Sequence, residues 1–302
     1  VALELGTAMG ELAKAGRDKL TLITTPGLAN FGDWVEQLVA ESTGKDGLGI
    51  LPVVDEPLAA PEFYGDDRLF VVLQLAGEEV DRTKLEALRA AGHPVIEMAV
   101  RDMTDLGEQI YTWELATAVA GQRLGIQPFN QPNVEAAKKL ARKMIASYQE
   151  RGALPKAETA ELSAETLRAF LAQAEDGDYI ALQAYVQPTD ETTAALQALR
   201  LALRERTHLA TTTGYGPRYL HSTGQLHKGD SGNGLFIQFT ADAPEDVSIP
   251  DSAGEPESSI SFGVLIKAQA LGDYQALADA GRRVIHFDLG SDVVGGIRSL
   301  IG

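Results

Sequence analysis

"LTLITTPGLANFGDWVEQLVAESTGKDGLGILPVV", residues 20–54, changes its hydrophobic period twice. Residues 20–25 ("LTLITT") form a short β-branched and apolar run closed by Pro26 and Gly27, which reads as a buried strand. Beyond it Phe31, Trp34, Val35, Leu38 and Val39 fall at helical spacing on one face, with Asn30 expected as the cap and Asp33 in the first turn. The run "GILPVV" (49–54) returns to strand. Strand, helix and strand in that order make a βαβ unit, which implies a mostly parallel sheet covered on both faces.

The same rhythm runs outward from this stretch. A helical pattern precedes it, strands are expected at 69–75 and 94–100, and a helix lies between them at 82–92. Two long helices follow at 105–124 and 132–150, parted by the breaker-rich "GIQPFNQP". The polar, Pro-containing stretch 151–166 has no strand signal and marks a boundary between a unit at 1–150 and a second at 151–302. The second unit alternates again: helix 163–175, strand 179–186, helix 190–206, strand 208–213, a glycine-rich segment, strand 234–241, an exposed acidic Pro/Ser loop, helix 261–280, strand 282–289 and a short terminal helix. The expected class is α/β, a three-layer arrangement with a second C-terminal α/β subdomain, and no short-period repeat indicates a solenoid.

Composition narrows the chemistry. The 302 residues carry a formal charge of −17, so a sequence-independent grip on nucleic acid or on an anionic membrane is not expected. There is no cysteine, which removes disulfides, thiolate catalysis and cysteine-based zinc sites, and a reducing cytoplasm is the expected compartment. The five histidines show no H-E-x-x-H spacing. No apolar run reaches the roughly 18 residues that a membrane span needs. The opening run begins without Met and directly in helical periodicity, which leads us to expect a piece of something longer.

Three segments hold the candidate residues. In "VAESTGKDG" (39–47) a phosphate-binding loop would need Gly at 39 and Ser or Thr at 46; the chain has Val39 and Asp46. Gly44 and Lys45 can be read as a helix end, the glycine in a left-handed cap and the lysine beside the negative end of the dipole. Glu41 fits that reading less well. A carboxylate in the last turn faces the unfavourable end of the dipole, which suits a group that must accept and return protons near neutral pH.

In "FNQPNVEAAKKLARK" (129–143) Pro132 suits a first helical turn, and Val134, Ala137, Ala141, Met144 and Ile145 define the buried stripe. Lys138 borders that stripe and can reach inward or snorkel, whereas Lys139, four residues after Glu135, is expected to be the surface ion-pair residue. The third segment, "GYGPRYLHSTGQLHKGDSGNG" (214–234), is dense in glycine and polar donors and follows a strand, where open α/β sheets bind ligands. Arg218, His221, Gln225, His227 and Lys228 lie in it, and His221 stands out by its place beside the Ser-Thr-Gly turn. Asp33, Glu36, Asp102 and Asp105 read as helix-start or surface acids.

Taken together, "GDWVEQLVAESTGKDGLGILPV", "GIQPFNQPNVEAAKK" and "YLHSTGQLHKG" resemble the phosphoglucose isomerases, in particular the isomerase portion of bacterial transaldolase/phosphoglucose isomerase fusion proteins. The tail "SFGVLIKAQALGDYQALADAGRRVIHFDLG" extends the likeness over most of the chain. The resemblance implies SIS-type domains and interconversion of glucose 6-phosphate and fructose 6-phosphate through a cis-enediol, with no metal and no cofactor. It implies Glu41 as the carboxylate that shuttles the proton, Lys138 as the lysine at the ring oxygen and His221 as the ring-opening histidine, although the His segment comes later in this chain than the shorter bacterial members have it. Gln225, Arg218, Lys45 and Gln131 are the expected substrate contacts. It further implies a homodimer, and that this chain is the C-terminal portion of an isomerase unit whose N-terminal SIS domain, with or without a transaldolase domain, lies upstream. The alternative from another class is a non-catalytic SIS module that binds a phosphosugar and regulates a partner.

Overall fold

The computed structural model describes residues 1–156 and 158–302, with the side chains of Val134 and Ala136 outside the description. The first half runs α1 (Ala2–Lys14), β1 (Lys19–Thr24), α2 (Ala29–Thr43), β2 (Leu51–Val53), β3 (Arg68–Leu75), α3 (Arg82–Ala90), β4 (Val95–Val100) and α4 (Leu106–Leu124). The second half continues with α5 (Val134–Arg151), α6 (Ala164–Leu171), β5 (Tyr179–Tyr185), α7 (Asp190–Thr207), β6 (Ala210–Tyr215), α8 (Ser222–Gly229), β7 (Gly234–Thr240), β8 (Ser248–Ile249), β9 (Ile260–Ser261), α9 (Phe262–Asp279), β10 (Arg283–Asp288) and α10 (Val293–Ser299).

Both large sheets are four-stranded and parallel throughout. The first has the order β2-β1-β3-β4 and the second β6-β5-β7-β10, which is the same order when each half is counted from its own first strand. The strands are apolar on both faces, as a sheet covered on both sides requires: in the first sheet Leu20, Leu69 and Val71 are buried on one face and Phe70 and Val72 on the other, and in the second Ile180, Leu182, Leu235 and Ile237 are buried on one face and Tyr179, Ala181 and Phe236 on the other. A large core gathers on one face of each sheet. A third apolar cluster joins them, with Ala40, Leu51 and Val53 from the first half packed against Tyr179, Ala181, Ala210, Leu226 and Phe236 from the second.

Several local expectations are corrected. Asn30 does not cap α2: a 3-10 turn over Pro26–Leu28 feeds straight into the helix, whose cap position is Leu28. Gly44 is not a left-handed cap either, since its φ is −77°. The residues with positive φ are Asp46 and Gly47, which form a tight turn closed by paired hydrogen bonds between Lys45 and Leu48. The expected strand at 208–213 starts two residues later because His208 takes the left-handed position that ends α7, at φ 62°. The glycine-rich segment contains a full helix, α8, and within the expected acidic loop β8 and β9 make a small antiparallel pair. Of the stripe expected on α5, Ala137 and Ala141 are buried, and Val134 lies outside the described residues. That helix packs on α9, where Gly272 admits the backbone of Ala137 and Ala141.

Gly44 is needed for a different reason. A Cβ at this position would lie 2.2 Å from the Cα of Leu226, so the end of α2 touches α8 through bare backbone. On the other side of the same contact, a Cβ on Gly229 would come within 2.3 Å of the Gly44 carbonyl oxygen. Gly44→Ala should therefore push the two halves apart and destabilise the chain by about 1–3 kcal/mol, the usual cost of overpacking. Urea unfolding with tryptophan fluorescence checks this, and an unchanged midpoint would show that the contact is not tight in solution.

Candidate active site

Glu41 lies in the last turn of α2, half-buried, where the helix meets the second half of the chain. One carboxylate oxygen accepts a hydrogen bond from the Ser222 hydroxyl at 2.6 Å, and the other accepts from the Gln131 side-chain amide. The two donors come from opposite sides, one from the start of α8 and one from the loop before α5, and together they fix the plane of the carboxylate. Lys45 follows one turn later and is buried. Its ammonium donates to the Asn130 carbonyl at 2.5 Å and reaches the Asn130 side-chain oxygen at 3.3 Å. Burial pushes the Lys45 pKa down, partly offset by the nearby charges of Glu41 and Asp46.

Gln225 ties the remaining strands of this junction together. It is fully buried; its amide donates to the Gly44 carbonyl and the Asn133 side-chain oxygen, each at 2.8 Å, and its own oxygen accepts the Asn133 backbone N–H at 2.9 Å. A primary amide has two donor hydrogens and one carbonyl oxygen, and all are engaged by protein. Gln225 thus fastens the end of α2, the start of α5 and α8 to one another.

His221 occupies the cap position of α8, next to Ser222, with its side chain exposed. Arg218 precedes it in a 3-10 turn over Arg218–Leu220 and points back to α2: Nη2 is 2.7 Å from Glu36 Oε2, as an ion pair and not an aligned hydrogen bond, and 3.3 Å from Asp33 Oδ1. Lys138 lies farther along α5, half-covered, with its ammonium 3.8 Å from the Glu135 carboxylate. Glu135 therefore pairs with Lys138, not with the expected Lys139, which is exposed; a helix also brings i and i+3 side chains together.

The structure thus gathers Glu41, Lys45, Gln131, Gln225 and the His221 position at one junction. Arg218 is one turn away in the grip of two carboxylates, and Lys138 is in its own ion pair. Two further basic residues of the glycine-rich segment are structural. The His227 imidazole is buried between Tyr219 and Phe236 with its pKa driven well below the usual range by desolvation, and Lys228 is buried in an ion pair with Asp273 at 2.6 Å.

Sequence reasoning passed over Ser222, Asn130 and Asn133, and read Glu36 as a helix-start or surface acid. Glu36 is not a surface acid: it is 5% exposed and lies on the inner face of α2 with Gly32, Val35, Val39, Ala40 and Thr43. The 32, 36, 40 spacing on the buried face was the available signal. Loss of hydration pushes its pKa up to about 7, against the pull of Arg218 and with the help of Asp33. Among the described residues, no group of three His, Asp or Glu is placed to hold a metal ion. None of the described helices is long and apolar enough to cross a membrane.

The chain is similar to glucose-6-phosphate isomerases. The Lactobacillus helveticus enzyme is 31% identical over 152 residues, covering 38% of this chain and 34% of the enzyme. A probable glucose-6-phosphate isomerase of Natronomonas pharaonis is 31% identical over 155 residues, covering 39% and 36%. The chain thus spans about a third of the length of the curated relatives it matches. No family model matches. Among solved structures, the C-terminal domain of glucosamine-fructose-6-phosphate aminotransferase from Francisella tularensis aligns with a TM-score of 0.30 at 12% identity, over 99% of this chain and 90% of that one.

The buried Glu36 carboxyl generates a test with a definite sign. Its folded pKa of about 7 stands above the ordinary 4.5, so the folded chain keeps a proton that the unfolded chain releases. Below about pH 4.5 both states are protonated and burial of the acid carries no ionisation penalty; between 4.5 and 7 stability is lost, and above 7 the full penalty stands. Glu36→Gln should accordingly raise stability at pH 8 by up to about 3 kcal/mol, with the gain gone near pH 4.5. Thermal or urea unfolding across that range measures it, and a gain independent of pH would contradict it.

Proposed function

We propose that this chain carries the acid–base part of an aldose–ketose isomerase acting on glucose 6-phosphate and fructose 6-phosphate, with SIS-type architecture. The observation that supports it most directly is the carboxylate of Glu41, held by Ser222 and Gln131 at a junction between the two halves. Such an isomerisation needs one base to take a proton from C2 and return it to C1 of the same face, passing through a cis-enediol. A single oriented, half-buried carboxylate can do both transfers if it does not rotate between them. The two hydrogen bonds supply that restraint.

His221, exposed at the cap of α8, is placed to act as the acid and base that opens the sugar ring, a task suited to an imidazole near neutral pH. Lys138 in this reading leaves Glu135 when substrate arrives and stabilises charge developing near the ring oxygen. Gln131 lines the approach to Glu41, and the buried Lys45, through Asn130, holds the loop that carries Gln131. Gln225 and Arg218 act from behind, by holding α8 and its preceding turn in place. Phosphate contacts from a further SIS-type unit outside this chain, a homodimer and a transaldolase fusion belong to the same proposal, in keeping with the one-third coverage of the relatives.

The non-catalytic alternative has one observation in its favour. A cavity of about 870 Å³ opens outside the carboxyl ends of β5 and β7, bordered by Thr189, Thr240, Phe262 and Lys267. It is also bordered by Asp242, Glu245 and Asp246, whose charge opposes a phosphate ester. Its location is therefore right for a ligand and its charge wrong for this one.

Incubation of the chain with fructose 6-phosphate in D2O, followed by proton NMR, should give glucose 6-phosphate with solvent deuterium at C2. Glu41→Gln should remove both product and exchange, and Ser222→Ala should slow turnover by about 10–100-fold, the loss of one hydrogen bond to a charged group. A Glu41→Gln protein that retained most of its turnover would show that another group is the base.

A further inference from the structure

The turn that delivers His221 and Ser222 to the site is held on two sides. Towards the second half, Tyr219 donates its hydroxyl to the Leu182 carbonyl at 3.1 Å and Leu220 packs against Ala137 and Ala276. Towards α2, beside the Ser222–Glu41 hydrogen bond, the connection is electrostatic: Arg218 meets Glu36 at 2.7 Å and Asp33 at 3.3 Å. Glu36 sits five residues before Glu41 on the same helix, and Arg218 sits three residues before His221. The ion pair therefore spans the two segments that carry the proposed base and the proposed ring-opening acid. The face of α2 that holds Glu36 is otherwise apolar or small, and packing alone gives no reason for a carboxylate there.

We propose that Glu36 is a positioning residue: its carboxylate holds Arg218 and, through it, the 218–222 turn, so that His221 and Ser222 are presented to Glu41. This rests on the reading of Glu41 and His221 as the acid–base pair. An ionised Glu36 clamps the turn; a protonated one leaves Arg218 with Asp33 alone. The groups that face Glu36 are Arg218 from the turn, Arg200 from α7, Asp33 from its own helix and Asp55 from the loop after β2. The two arginines favour its ionised form and the two aspartates oppose it, while loss of hydration outweighs both. Tyr219 and His227 border the same crevice, and His227 stays neutral across the relevant range because burial holds its pKa far down. The clamp engages as pH rises through about 7.

Hydrogen–deuterium exchange of the whole chain, read on peptides covering 215–226 and normalised for intrinsic exchange, tests the clamp without needing turnover. The opening read here frees Arg218 while Glu36 stays buried on α2, so losing the pull of Arg218 raises the Glu36 pKa further; protection of this turn against local opening in the wild-type protein should therefore rise about tenfold between pH 6 and pH 8.5, the size of a charge-assisted contact, even as global stability falls. Glu36→Gln should give the pH 6 value throughout; should that protein not fold, Arg218→Gln must give the same flat profile. Flat wild-type protection, or a Glu36→Gln protein that follows the wild type, overturns the proposal. The pH profile of kcat/KM for fructose 6-phosphate then separates positioning from mere structure: an ascending limb near pH 7 in the wild type, missing in Glu36→Gln, supports it, and a limb common to both overturns it. A wild-type chain with a pH-dependent clamp and no isomerisation removes the isomerase reading, whereas an active chain with a flat clamp removes only the role of Glu36.

Discussion

The backbone contact between Gly44 and α8 sets where everything else in the site can be. With Leu226 Cα against the place where a side chain of residue 44 would begin, the end of α2 and the body of α8 meet with no room for a side chain between them. Gln225 then bonds to the Gly44 carbonyl, and the same amide reaches Asn133. Those hydrogen bonds span the same contact. Any bulk at this point would lengthen all of them together, and Ser222 would be drawn away from the Glu41 carboxylate that it meets at 2.6 Å.

This also explains the distribution of polar partners around the junction. Buried amides and hydroxyls are costly unless each donor and acceptor is matched, and a seam between two separately built sheets is where unmatched groups would gather. Here the loop at 130–133 does the matching. Asn130 takes the Lys45 ammonium, Gln131 takes Glu41, and Asn133 takes Gln225. Beneath this polar layer the apolar cluster around Leu226, Tyr179 and Val53 excludes water from the rest of the seam. The arrangement gives a carboxylate with a fixed orientation, half open to solvent, at the end of a rigid helix.

Much of the fold was legible because its signals are local. The β-branched and apolar run at 20–25, the apolar run at 179–186 and the helical spacing of Val35 and Val39 read directly as parallel strands and a covering helix. What the sequence hid was what depends on contacts between distant segments. The glycines of 214–234 read as a loop, yet Gly224 and Gly229 serve a helix by letting Tyr219 and Gly44 approach closely. Glu41, Lys45, Gln131 and His221 were identified by residue type and by resemblance, and their meeting place needed the three-dimensional arrangement. Glu36 was misread because its charge outweighed its position: a carboxylate on a helix is ordinarily solvated, and it takes arginines from distant segments, Arg218 foremost and 182 residues later, to make its burial intelligible.

The matching strand orders of the two halves carry a consequence for how the site comes into being. Each sheet closes through connections within its own half, whereas the Ser222–Glu41 hydrogen bond spans 181 residues. The chain entropy lost in such a closure grows only slowly with length, but it is not repaid until both sheets present finished surfaces to each other. This junction is therefore the last part of the molecule to assemble and the first to come apart. Loosening either half, by heat, denaturant or a mutation far from the junction, dissolves the site before it dissolves the fold.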